Sequence, residues 1–215
     1  MAKPEINIIT VEDPVEFRMR GINQVQVNNK AGMTFAAALR SILRADPDVV
    51  LIGEIRDQET ANIAIEASLT GHLVLSTLHT NDAPSAVTRL TEMGVEPFLL
   101  SSSLAAVMAQ RLARRLCKKC KRQDTATEAE LRTLGVPHMP DTPLPTIWRP
   151  VGCRECANTG YSGRVAIQQV MGVDSTMEDL IARGATSIDI DKAAKEQGMT
   201  TLRKDGWQKA LQGIT

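Results

Sequence analysis

Aromatic residues are scarce, 3% of a 215-residue chain, so any core must be aliphatic. Net charge is also missing: 25 Lys and Arg stand against 25 Asp and Glu. That balance argues against a whole-protein nucleic-acid or membrane-surface binder, although local patches remain open. Long hydrophobic runs are lacking too. The uncharged stretch from Pro97 to Gln110 falls short of the roughly 20 apolar residues that a bilayer-spanning helix needs, so no membrane insertion is expected. The N-terminal Met-Ala-Lys-Pro-Glu-Ile-Asn has no apolar core and no cleavage pattern, so export is not evident and a cytoplasmic, reducing location is the expectation. There, the chain's 4 cysteines read as thiolate ligands rather than disulfides.

What is present is an ordinary globular composition. Apolar residues at 43%, charged residues at 23%, 14 Gly and 10 Pro exclude collagen, mucin-like stalks and a disordered polyelectrolyte. The length suits one large domain, or one domain with a small appendage.

Patterning predicts alternating strands and helices. Ile6 to Val11 reads as a strand delivering Glu12 and Asp13 to its C-terminal end, and Gln24 to Val27 as a second extended piece. Thr34 can cap a helix through about Ala45, with Phe35, Leu39, Ile42 and Leu43 on its apolar stripe and Arg40 and Arg44 one turn apart. Val49 to Gly53 is a continuous apolar run, as in a strand buried on both faces of a parallel sheet, and it ends at Glu54. Asp57 caps a helix with Ile63, Ile65 and Leu69 as apolar positions, and Gly71 ends it. His72 to Thr77 is the next strand, followed by helices over roughly Ala83 to Met93 and Pro97 to Leu116. This rhythm predicts a right-handed parallel α/β sheet with ligands at the carboxyl ends of its strands. After Leu116 come a basic cysteine knuckle, a Pro-rich passage from Pro137 to Pro150 and a second knuckle. Met177 to Ile181, Ile188 to Ala194 and Leu202 to Leu211 read as amphipathic helices.

The strand-end segments carry the chemistry. A carboxylate following buried aliphatics can hold Mg²⁺ directly or through its waters, and a second can orient an attacking water. Any one such segment could equally be a strand closed by solvated turn charges. Taken together, Ile-Thr-Val-Glu-Asp-Pro-Val-Glu (9 to 16), Ala-Leu-Arg-Ser-Ile-Leu-Arg-Ala-Asp-Pro-Asp-Val-Val-Leu-Ile-Gly-Glu-Ile-Arg-Asp (38 to 57) and Thr-Gly-His-Leu-Val-Leu-Ser-Thr-Leu-His-Thr-Asn (70 to 81) resemble the Asp box, Walker B segment and His box of the secretion ATPases that drive type II secretion and type IV pilus assembly. The resemblance covers essentially the whole chain. It implies a RecA-like parallel sheet flanked by helices over 1–116, a cysteine subdomain over 117–160 and a helical C-terminal region over 161–215. It also implies ATP with Mg²⁺, a homo-hexamer, an inner-membrane platform protein as partner, and a cytoplasmic site at that membrane.

Carried over residue by residue, Glu16 resembles the catalytic glutamate that positions the hydrolytic water, with Glu12 and Asp13 supporting it. Glu54 resembles the Walker B acid. His72 and His79 resemble the His box that senses the γ-phosphate, although His72 could simply begin a strand with a satisfied ring. Arg40 and Arg44 could reach a phosphate, in their own subunit or across an interface, or be solvated helix charges. The Gly-rich phosphate loop ending in Gly-Lys-Thr or Gly-Lys-Ser, which precedes the Asp box in this family, does not occur before Ile6. A truncated piece with weak or absent nucleotide turnover in isolation is therefore expected.

Cys117-x-x-Cys120 and Cys153-x-x-Cys156 have the spacing of a closed S₄ structural zinc site, with four buried free thiols as the alternative. The basic neighbours Lys118, Lys119, Lys121, Arg122 and Arg154 are expected to favour thiolates. The basic run Arg111 to Arg122 suggests a nucleic-acid patch. It lacks aromatics for base stacking, so no nucleic-acid partner is expected. A zinc-dependent nucleic-acid module and an inactive docking fragment remain the alternative readings.

Overall fold

The computed structural model describes residues 3, 5–139 and 141–215. Its elements are β1 (Ile8–Glu12), β2 (Asn23–Gln26), α1 (Phe35–Ile42), β3 (Val49–Ile52), α2 (Gln58–Leu69), β4 (Leu73–Ser76), α3 (Pro84–Glu92) and α4 (Pro97–Ser103). There follow β5 (Ala106–Leu116), β6 (Arg122–Thr125), α5 (Glu128–Leu134), β7 (Thr146–Arg149), β8 (Tyr161–Gly172), α6 (Ser175–Ala182), α7 (Ser187–Glu196) and α8 (Leu202–Leu211). The chain divides into two compact units, Met1–Val107 with Gly172–Ala194, and Met108–Met171 with Lys195–Thr215.

In the first unit the strands form a four-stranded, wholly parallel sheet in the order β2-β1-β3-β4. Val11, Val50 and Ile52 are completely buried in it, which is why this part of the chain is continuously aliphatic. Helix starts follow capping chemistry. The Thr34 hydroxyl accepts from the Ala37 amide, and the Asp57 carboxylate accepts from the Thr60 amide at 2.8 Å. α1 buries Ala36, Ala38, Leu39 and Ile42. α2 differs from expectation: it buries Thr60, Ala61, Ala64 and Ala67, and leaves Leu69 43% exposed. It packs against α1 and α4, and small side chains permit that close approach.

The single helix expected over Pro97 to Leu116 is corrected. α4 stops at Ser103, Leu104 turns extended, and Ala106–Leu116 is a strand paired with β8. The partner strand is remote in sequence, so pairing overrides a local pattern in which only Val107 is β-branched. Residues 161–172 are likewise strand before the expected helical segments, which appear as α6, α7 and α8.

The second unit joins the β5–β8 ribbon to an antiparallel β6–β7 pair, with Arg122 opposite Arg149 and Thr125 opposite Thr146. α5 starts with a reciprocal capping box between Thr127 and Glu130. Ala126, Leu131 and Ile147 form a small core on which Val136, Leu144 and Trp207 pack. The C-terminus is sewn to β5: the Leu116 amide donates to Ile214 O at 2.8 Å, and the Thr215 hydroxyl to Arg114 O at 2.8 Å.

Candidate functional site

Because β1, β3 and β4 are parallel neighbours, the residues leaving their C-terminal ends share one edge of the sheet. Gly53 sets the closest approach. Its amide donates to Val11 O at 2.7 Å, and a Cβ there would stand 3.2 Å from that same oxygen. On the other side, the Ile55 amide donates to Thr77 O at 3.1 Å and the Thr77 hydroxyl to Gly53 O at 2.6 Å. Glu54 is thereby held between backbone bonds to both neighbouring strands.

The Glu54 side chain is 13% exposed, and its two cationic partners lie further out: Arg56 at 2.5 Å (66% exposed) and His79 Nε2 at 3.3 Å (88%). The Arg56 hydrogen bond is the main cause that holds the Glu54 carboxyl below its ordinary range, with His79 adding to it and burial opposing. Glu54 therefore keeps its negative charge. The charge of Arg56 is stabilised in return, mostly by Glu54 and also by Asp13, which brings the end of β1 into the same electrostatic neighbourhood.

Glu12 ends β1 with its carboxylate accepting from the buried Thr10 hydroxyl at 2.5 Å and from Gln24 Nε2 at 2.9 Å. Glu16 follows the cis Asp13–Pro14 bond in an exposed loop that leaves this edge. His72 lies at the opposite end of β4, with Nδ1 2.9 Å from Ala67 O and 3.2 Å from the Thr70 hydroxyl. Arg40 is ion-paired with Glu59 in the first turn of α2. Arg44 falls in the short 3-10 turn Leu43–Ala45 beyond α1, so the two arginines do not share one α-helical face. The edge thus gathers Glu12, Asp13, Glu54 and His79, while His72, Arg40 and Arg44 have local partners or positions elsewhere.

The second constellation is thiol. The ligand atoms of Cys117, Cys120, Cys153 and Cys156 all lie within 4.8 Å of one another. The Sγ–Sγ separation is 3.9 Å for Cys117–Cys153, 3.8 Å for Cys120–Cys156 and 3.8 Å for Cys153–Cys156. A tetrahedral S₄ site with Zn–S of about 2.3 Å sets sulfurs about 3.8 Å apart, and disulfide sulfurs would be at about 2.0 Å. The donor set fits zinc. Backbone amides supply the electrostatics: Gly152 donates to Cys120 at 3.3 Å, and Cys153 and Gly160 each donate to Cys156 at 3.2 Å. Burial opposes ionisation of Cys156, but those two amides and the neighbouring thiols bring it down to about 6. Burial instead drives Cys120 up to about 11. Lys121, expected to favour thiolates, donates to Gly213 O at 2.6 Å and lies over the Trp148 ring.

The sequence matches the family described as "Type II/IV secretion system protein" over residues 1–215. The chain belongs to that family. This secretion-system chain is 51% identical over 215 residues to the type IV pilus assembly ATPase PilB of Thermus thermophilus, covering 100% of itself and 24% of PilB. It is 54% identical over 209 residues to the type II secretion system protein E of Pseudomonas aeruginosa, covering 97% of itself and 41% of that relative. It therefore spans only a quarter to two-fifths of these relatives. Among solved structures it resembles the pilus retraction motor PilT with bound ADP, with a TM-score of 0.68 at 26% identity, over 97% of this chain and 50% of PilT.

Sequence reasoning about the secretion-system chain missed Arg56 and Gln24. Arg56 stood inside a quoted motif, yet its pairing with Glu54 depends on a turn geometry that the motif does not spell out. Gln24 touches Glu12 only because Thr10 and Gln24 are register partners across β1 and β2.

Proposed function

We propose that this chain is the catalytic-edge portion of a RecA-like ATPase that, in the longer protein, hydrolyses ATP to drive type II secretion or type IV pilus assembly. The observation that carries the reading is the meeting of Glu12, Asp13, Glu54 and His79 at the C-terminal edge of one parallel sheet, in a family that includes a pilus assembly ATPase.

Hard carboxylate oxygens suit Mg²⁺, which when bound neutralises phosphate charge. Glu54, kept ionised by Arg56, would hold that ion through its waters. Glu16, on the loop beyond, would orient the attacking water and accept its proton, with Glu12 and Asp13 supporting the loop's origin. His79, exposed beside Glu54, would meet a γ-phosphate. Arg40 and Arg44 would reach a phosphate in their own subunit or across a hexamer interface, His72 would belong with His79 to the group that senses the γ-phosphate, and an inner-membrane platform protein would receive the motion. Cys117, Cys120, Cys153 and Cys156 would hold one structural Zn²⁺.

In the full-length protein, Glu16→Gln is expected to lower kcat by about 10²–10⁴-fold, the usual worth of a positioned general base, with ATP affinity retained. Turnover unchanged by Glu16→Gln would overthrow the reading.

A further inference from the structure

The segment that carries Glu16 has almost no apolar anchorage. Phe17 is 80% and Met19 48% exposed, and Asp13, Pro14, Glu16, Arg18 and Arg20 are exposed as well. A loop with so few buried contacts would open easily unless polar bonds hold it. Those bonds come from β2. The Gln24 carboxamide donates through Nε2 to Glu12 Oε1 at 2.9 Å and to Phe17 O at 2.9 Å, while its Oε1 accepts from the Met19 amide at 2.7 Å. Gln26, next on the same face of β2, accepts the Val15 amide at 3.3 Å. Glu16 lies between these tethers.

We propose that Gln24 is a positioning residue, whose carboxamide ties the loop bearing Glu16 to the Glu12 carboxylate and so sets where Glu16 points. This rests on the assignment of Glu16 as the water-positioning group. Glutamine suits the place chemically. One side chain must offer two N–H donors and an acceptor at once, and Gln24 fills all three roles within hydrogen-bond range. A carboxylate would keep the acceptor, lose both donors and set a like charge against Glu12.

That contrast supplies the test. Hydrogen exchange on the 215-residue chain should show the 13–20 segment exchanging about tenfold faster in Gln24→Ala, with β1 and β3 amides unchanged. Gln24→Glu should lose the same protection at pH 7 and regain it below about pH 5, where protonation of the introduced carboxyl restores a donor. Gln24→Ala should show no such recovery. In the full-length protein, Gln24→Ala should lower kcat about tenfold or more while KM for MgATP stays within about twofold, and should add nothing to Glu16→Gln. Unchanged exchange in the 13–20 segment overturns the proposal, as does unchanged kcat in Gln24→Ala beside an inactive Glu16→Gln. An active Glu16→Gln overturns the assignment of Glu16 itself, and this inference with it.

Discussion

The strand-end edge and the cysteine cluster both gather side chains that are far apart in sequence, and they do so by opposite means. At the edge, backbone bonds across a parallel sheet fix where Glu12, Glu54 and Thr77 begin, and side chains only finish the arrangement. In the cysteine unit the strands are a ribbon and a short pair, the buried core is small, and the thiols meet through two tight turns. A site built on a sheet keeps its geometry whether or not its ligand is present. A site built on a thin core depends on the ligand for stability.

Metal removal breaks the comparison most sharply. Structural zinc is worth about 10–16 kcal/mol in small metal-dependent folds, far more than a core of Ala126, Leu131 and Ile147 can replace. A strong chelator, or Cys117→Ser with Cys153→Ser, is expected to unfold the second unit while the first stays protected from hydrogen exchange. The chain's 2 tryptophans, Trp148 and Trp207, both belong to the second unit, so their fluorescence reports that unit alone. Purified chain prepared without chelator should carry about one zinc per molecule. A metal-free chain with native tryptophan fluorescence would mean that thiol packing alone holds the unit.

The same difference explains what could be read in advance. Val49–Ile52 was legible as a central strand because burial on both faces demands unbroken aliphatics. The clustering of the four cysteines was legible because two Cys-x-x-Cys pairs have the spacing that brings four thiols together. β5 was not, since its residues Gln110, Arg111, Arg114 and Arg115 are exposed and carry no alternation of hydrophobicity. Only its distant partner makes it a strand. α2 was legible as a helix from its Asp57 cap, yet its buried face was misread, because alanines at a close helix contact displaced the larger Ile63, Ile65 and Leu69. Gln24 and Arg56 escaped notice because polar side chains acquire roles from cross-strand register and turns.

Gly53→Ala sharpens the comparison from the other side. The added methyl would sit 3.2 Å from Val11 O, tighter than ordinary contact, and 3.5 Å from Glu12 Cα, against β1 backbone that its pairing with β2 and β3 already fixes. Overpacking of this kind costs about 1–3 kcal/mol. Exchange protection of β1 and β3 should fall accordingly, while tryptophan fluorescence and zinc content stay as in the parent chain. Unchanged β1 and β3 protection would show that the edge can relax.

The smallest expected effect is acid sensitivity of the second unit, and its sign follows from Arg149. Its guanidinium contacts Glu130 at 2.5 Å and Asp124 at 2.9 Å, joining β7 to α5 and β6. Arg149, with the Thr127 cap, pulls Glu130 down to about 2 from an ordinary 4.5, and Asp124 is lowered chiefly by the same arginine. A depressed carboxyl takes up protons later when folded than when unfolded, so it stabilises the fold above about pH 4.5, and that contribution fades as pH falls toward 2. Arg149→Leu should therefore lower the fluorescence-detected Tm by a few degrees near pH 7. The gap between variant and parent should narrow steadily below about pH 4.5. The comparison is read over the pH range in which both proteins keep native tryptophan fluorescence. A gap that stayed constant through that range below about pH 4.5 would assign Arg149 to packing rather than to charge.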